Sequence, residues 1–423
     1  MATQPQTLAQ KIIARACGRT AVAPGELVTC RVDLAMFHDS SGPRRLKPML
    51  EELGARIWDP DRVVLVMDHY VPESDDESRR IVRIARDWAQ ELKLPHVYDS
   101  QGICHIVLPQ QGHLRPGLFA VGGDSHSPTG GAFGAYMFGI GATEMLGVMV
   151  TGEIWLKVPQ TIRFNFEGTM PAMLTAKDLM LFLIGRLGMN GGQYEAVEYA
   201  GAAVRAMPIA ERMTMCNMTA ELGAQTGLVA PDATTVAWLA AHGAAGVDAG
   251  PWFTDEGAAL RADQVFDVSG IAPQVARPHS PANAVDVGVV AGQPVQVAYI
   301  GACTGAKLED LRAAARVLRG RKVAPGLALM LAPASLKNQE AARSEGVLQV
   351  LLDAGAALLA TSCGACAGYG GRIPAGATVI STTARNFRGR MGAADSEVYL
   401  ASPYTVAASA ITGRITDPRE VAL

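Results

Sequence analysis

The chain has 423 residues, with 37 Lys+Arg against 40 Asp+Glu for a formal net charge of -3, and it is 49% hydrophobic and 18% charged. That balance excludes a disordered or fibrous chain, and the lack of any Lys/Arg block argues against a dedicated nucleic-acid binder. The length allows two or three domains around a core that needs no disulfides.

The opening segment MATQPQTLAQKIIARACGRT carries no apolar h-region, so no export signal is expected and a cytoplasmic location is. Seven cysteines stand at positions 17, 30, 104, 216, 303, 363 and 366. Without export they read as ligands or small apolar core residues rather than a disulfide framework. In chain order, strand-like runs cover Val63 to Val66, Leu118 to Val121, Val295 to Ile300, Leu327 to Leu331, Ala357 to Ala360 and Thr378 to Ile380. Helical periodicity marks Ser74 to Leu92, Lys307 to Arg319 and Leu336 to Ala354. The stretch Gly131 to Val150 is apolar enough to suggest a membrane span, but its glycines and Glu144 favour a buried helix packed on a sheet. Strand alternating with helix predicts an α/β fold with parallel sheet. The Pro/Ala/Gly-rich segment Ala276 to Pro294 separates an N-terminal α/β lobe, 1–280, from a C-terminal α/β subdomain, 285–423.

Five polar motifs each directly follow a strand-like run. They are Asp68-His69, Asp124-Ser125-His126, Cys303-Thr304, the Cys363 to Cys366 pair and Arg385. Ligands bind beyond the carboxyl ends of strands in open α/β sheets, so these motifs predict one cleft fed by both halves of the chain. Cys363 and Cys366 form a C-x2-C pair, and Cys303 is a third thiol at another strand end. Three thiolates leave one position open on a metal centre; a cluster, a zinc site and a redox pair all remain open at this point. His69 and His126 lie beside carboxylates, Asp68 and Asp124, which fix a tautomer and raise an imidazole's pKa. Any one histidine alone reads as a satisfied loop residue, and Arg388 as part of a solvated turn. The fork of Arg385 or Arg390 suits a carboxylate. No glycine run has the spacing of a nucleotide loop.

Together the segments HDSSGP, VMDHYVP, GICHIV, GGDSHSPTGGAFGAYMFGIGATE, CNMTAELGA, ARPHSPANAV, GACTGAKLEDL, TSCGACAGYG and ARNFRGRMG resemble the aconitase superfamily. The resemblance is specifically to the large subunit of two-chain 3-isopropylmalate dehydratases and homoaconitases, over nearly the whole chain. It implies three α/β/α subdomains around a [4Fe-4S] cluster held by Cys303, Cys363 and Cys366, with one open iron acting as a Lewis acid. It implies that His69, supported by Asp68, protonates the leaving hydroxyl. His105, Asp124, His126 and Glu221 would form the polar network beside the iron, while Ser125, Arg385 and Arg390 would hold substrate carboxylates. The reaction implied is dehydration and rehydration of a malate-type 2-hydroxy acid, first 3-isopropylmalate in leucine biosynthesis. The alternatives are homoaconitase or a hydratase of dimethylmalate, citramalate or maleate. The family's catalytic serine sits on a swivelling fourth domain that no segment here resembles, which implies a small-subunit partner. Two departures stand out, Gly305 and Ala384 where the family usually has asparagine. RNA binding by a cluster-free form and a zinc scaffold for a partner chain are weaker readings.

Overall fold

The run VVLVM is β-branched and apolar on both faces, which suits a strand covered from both sides rather than one facing water. In the computed structural model, which describes residues 4–244, 246–369 and 373–421, it forms the fully buried strand Val63–Met67. Its neighbours give a five-stranded sheet in the order His96–Asp99, Val63–Met67, Leu34–His38, Phe119–Gly122 and Tyr136–Gly139, parallel throughout. The crossover helix Asp76–Glu91 begins at Asp75, whose carboxylate accepts from the Ser78 amide while the Ser78 hydroxyl caps in return. It buries Ile81, Val82, Ala85, Trp88 and Ala89, a stripe at helical spacing, with Trp88 packing 5.7 Å from the Phe37 ring.

A second parallel sheet takes Thr226–Leu228, Ala196–Ala200, Thr161–Glu167 and Ala262–Asp267. The C-terminal sheet has seven strands. Ala356–Leu358, Ala328–Leu331, Val297–Ile300, Thr378–Ser381 and Glu397–Ala401 run parallel, and Gln274–Ala276 and Ala284–Asp286 close one edge antiparallel. The segment marked by composition at 276–294 therefore begins on this sheet's edge. An antiparallel pair, Leu27–Arg31 with Glu153–Lys157, stands apart. Side chains between the layers fall into two buried clusters among the described residues, one under one face of the N-terminal sheet and a larger one that joins its other face to the other two sheets. No helix among the described residues is long and apolar enough to cross a membrane.

Two sequence expectations need correction. Gly131 to Val150 is not one buried helix: it holds the end of the 3-10 segment Ser127–Phe133, the strand Tyr136–Gly139, and most of the helix Ala142–Thr151. Each glycine within a helix costs roughly 1 kcal/mol against alanine. Here the glycines do other work: Gly134 turns left-handed at φ 70°, and a Cβ on Gly131 would lie 1.6 Å from the Gly227 carbonyl. Leu336 to Ala354 is likewise two helices, Leu336–Ser344 and Val347–Ala354, parted at Gly346 with φ 73°.

Candidate active site

All five polar motifs lie just past the carboxyl ends of parallel strands, and cross-lobe hydrogen bonds bring them together. The Cys363 amide donates to the Asp68 carbonyl at 2.9 Å, tying the cysteine loop to the first sheet. Arg385, past the strand Thr378–Ser381, donates to Glu221 Oε1 at 2.5 Å and to Ser125 Oγ at 2.9 Å.

Asp68 is fully buried. One of its oxygens accepts from His69 Nδ1 at 2.6 Å and the other from the Cys104 amide at 2.7 Å, at the start of the helix Cys104–Gln110. Burial works against charge on His69, but Asp68, with Asp39 and Asp124 behind it, outweighs burial and raises the imidazole to about 9. His69 is therefore cationic at neutral pH, with Nε2 directed 3.9 Å from Asp124 Oδ2.

Asp124 carries the second network. Its Oδ1 accepts from His105 Nε2 and from the His126 amide, each at 2.8 Å. Burial would raise its pKa; His105 and its other imidazole neighbours hold it well below the usual carboxylate range instead. On His105 the balance falls the other way, burial pushing the imidazole down toward the neutral form. His126 Nε2 donates to Glu221 Oε1 at 3.0 Å. Against burial, Arg385 and His126 keep Glu221 ionised, and among the described residues its buried Oε2 has no partner. A cavity of about 400 Å³ opens over Asp124, Ser125 and Arg385, walled by Ile140, Tyr194 and Ala220.

Cys303, Cys363 and Cys366 are each no more than 9% exposed. Ala302 adopts a left-handed conformation, φ 66°, which turns the chain sharply from the strand Val297–Ile300 to present Cys303. A hydrogen bond from the Cys363 thiol, then the charges of Arg390, His126 and Arg385, pull Cys366 down to about 6 despite burial. Asn217 Nδ2 donates to Cys303 Sγ at 3.2 Å, the kind of amide donor that stabilises a metal-bound thiolate. Tetrahedral zinc would hold its thiolate sulfurs about 3.8 Å apart, from a Zn–S bond near 2.3 Å. Among the described residues, the groups whose candidate ligand atoms all fall within 4.8 Å are His38/Asp39/Asp68/His69 and His105/Asp124/His126, and the three thiols do not form one. Three buried sulfurs that do not close to single-ion spacing, one of them with an amide donor, fit a multi-iron cluster better than one ion.

Each site residue expected from the sequence lies in or beside this cleft. Arg390 is the outlier: its Nε donates to the Cys366 carbonyl at 3.1 Å, so part of its fork braces the cysteine loop. Arg388 is exposed, as its turn position suggested. Sequence reasoning passed over four further residues. His38 stacks on His69 at 3.8 Å, with its Nε2 lying 3.5 Å from Asp124 Oδ2. Asp39 accepts the His69 and Tyr70 amides. Asn217 holds Cys303, and buried Lys177 donates to the Thr382 and Thr383 carbonyls at 2.8 and 2.7 Å, just ahead of Arg385. His38 ends the strand Leu34–His38 and Asp39 follows it, so both obey the same strand-end rule; Asn217 and Lys177 carry no such signal.

The sequence profile described as "Aconitase family (aconitate hydratase)" matches residues 10–413. The chain belongs to the aconitase family. Within it, the chain is similar to the "3-isopropylmalate dehydratase large subunit 1" of Methanopyrus kandleri, 44% identical over 98% of this chain and 99% of that one. It is also similar to the "Probable methanogen homoaconitase large subunit" of Methanosarcina mazei, 43% identical over 92% and 99%. Among solved structures, Thermococcus kodakaraensis aconitase X superposes with a TM-score of 0.53 at 13% identity, covering 90% of each chain, a likeness of fold. The expected α/β aconitase-type architecture is therefore observed.

Proposed function

We propose that this chain is the large subunit of a cytoplasmic [4Fe-4S] hydro-lyase that dehydrates and rehydrates a malate-type 2-hydroxy dicarboxylate, with 3-isopropylmalate as the first substrate. The single observation that carries the reading is the cross-lobe junction, where a cationic His69 and a three-thiol cradle meet through the Cys363–Asp68 hydrogen bond.

Cys303, Cys363 and Cys366 would hold the cluster. When bound, it would supply Lewis-acid chemistry toward the substrate hydroxyl. Hydroxide is a poor leaving group, and His69 Nε2 is the proton donor that lets it depart as water. Asp68 keeps that proton on the ring by accepting from Nδ1. Arg385 and Ser125 bind a substrate carboxylate, with Glu221 aiming the guanidinium, and Arg390 adds cationic charge beside the cysteine loop. His105, Asp124 and His126 orient substrate oxygens through fixed hydrogen bonds. Removal of the carbon-bound proton falls to a serine on a small-subunit partner, in keeping with the "large subunit" names of the relatives.

A second reading, homoaconitase or a hydratase of a smaller malate, is favoured by the homoaconitase-named relative and by the two missing asparagines. Anaerobic co-expression with the small subunit from the same genome, followed by enoate absorbance, decides between them. Turnover of 3-isopropylmalate supports the first reading. Turnover confined to homocitrate, citramalate, dimethylmalate or malate supports the second, and none from cluster-loaded enzyme refutes both.

A further inference from the structure

Tyr299 lies in the strand Val297–Ile300, four residues ahead of Cys303, and is fully buried. Among the described residues its hydroxyl has no hydrogen-bond partner. A buried phenol left in that state costs about 1–3 kcal/mol, so proteins supply an acceptor. The Tyr299 strand leads directly into Cys303, and two further strands of the same sheet, Ala356–Leu358 and Thr378–Ser381, lead toward the Cys363–Cys366 loop and Arg385. After burial itself, the charges acting on the phenol are those of Cys366, Cys363 and Cys303, all three members of the cradle. Gly301 makes room for the arrangement: a Cβ there would stand 2.3 Å from the hydroxyl and 2.2 Å from the ring carbon bearing it. The phenol thus lies over the backbone that leads into Cys303, in space that only glycine leaves open. The hydroxyl of Thr382, which also faces Gly301, is engaged with the Gly301 amide and carbonyl, each at 2.8 Å, and with the Tyr299 carbonyl at 3.4 Å rather than the Tyr299 hydroxyl.

We propose that Tyr299 is a hydrogen-bond donor to the sulfur of the cluster seated by Cys303, Cys363 and Cys366, setting its reduction potential and its resistance to air. The inference rests on the cofactor reading above and goes beyond it, since it concerns tuning of the centre rather than its ligands. A hydrogen bond to a cluster sulfur withdraws negative charge and favours the reduced form, so it raises the potential. It also makes oxidative loss of the open iron harder. The donor is a neutral phenol whose ring packing survives removal of one oxygen.

The test compares wild-type chain and Tyr299→Phe, each reconstituted anaerobically with iron and sulfide. Midpoint potential is read by spectroelectrochemistry, and air-driven conversion to the three-iron form by electron paramagnetic resonance. The expected result is a lower midpoint potential and a conversion about three- to tenfold faster in the variant, the weight of one hydrogen bond. Thermal unfolding of the two is recorded alongside. A change in melting temperature with an unmoved potential and conversion rate means the hydroxyl has a packing role or a water partner, and overturns the proposal. A wild-type chain that takes up zinc and forms no iron–sulfur chromophore overturns the cofactor reading and this inference together. An intact chromophore with an unmoved Phe variant overturns this inference alone.

Discussion

Replacing Asp68 by asparagine removes the charge that holds the His69 proton while changing the side chain's volume little. Asp68 is the first group to oppose burial at His69, and burial alone drives an imidazole below its ordinary 6.5. With the wild-type value raised to about 9, about nine-tenths of His69 is protonated near pH 8. Asp39 and Asp124 still oppose burial in the variant, and a return to the ordinary value of about 6.5 leaves roughly 3% protonated there, so kcat falls about 30-fold near pH 8 and less than twofold near pH 6. The assay is kcat for enoate formation across that range in the two-chain enzyme, with cluster content matched by iron analysis. A loss of equal size at both pH values would show that Asp68 acts through geometry alone and refute the reasoning. The same carboxylate accepts the Cys104 amide, so Asp68→Asn also costs about 1–3 kcal/mol in stability, visible as a lower urea midpoint.

Three further outcomes are expected. Cys366→Ser removes one of three thiolates: bound iron and labile sulfide fall sharply and absorption near roughly 400 nm is lost, while retained stoichiometry would remove Cys366 from the ligand set. Glu221→Gln leaves Arg385 and His126 without their shared buried anion, at a cost of about 2–5 kcal/mol in kcat/KM, carried mostly by KM if Arg385 binds the substrate carboxylate. Gly305→Asn, which restores the family's usual amide, places a Cβ 2.1 Å from Thr382 Cβ. It therefore destabilises by about 1–3 kcal/mol in a thermal melt, and Thr382→Ala does not rescue it, because alanine keeps the clashing Cβ.

The strands were legible where burial on both faces writes a continuous apolar run, as in Val63–Met67 and Thr378–Ser381. The rule that polar residues gather at strand ends then gathered His69, His126, the three cysteines and Arg385 without any coordinates. Composition failed at Gly131 to Val150, because glycine there answers to neighbours distant in sequence: the carbonyl of Gly227 lies almost 100 residues further along. It failed at Gly346 for a local reason, a left-handed residue within an unbroken helical period. Asn217 and Lys177 were missed because each acts across an interface between elements. Asn217 reaches Cys303 from the helix Ile209–Met218, and Lys177 reaches the Thr382 carbonyl from Ala176–Leu187. Spacing within one helix carries no record of which loop that helix will meet. The Gly305 departure also reads differently in three dimensions, since Thr382 occupies the volume that a side chain there would need.

The bridge from Arg385 to Glu221 and Ser125 bears on how tightly a small dicarboxylate is held. A free arginine side chain carries about 2 kcal/mol of rotamer entropy, most of which is lost when its fork is fixed on an anion. Here folding has already fixed the fork, with side-chain exposure down to 18%, before any ligand arrives. An incoming carboxylate meets a guanidinium already aimed, and its binding is spared that loss. The molecule carries the burden as a slightly less stable fold instead, so tightness toward the substrate and resistance to unfolding trade against each other at this one residue.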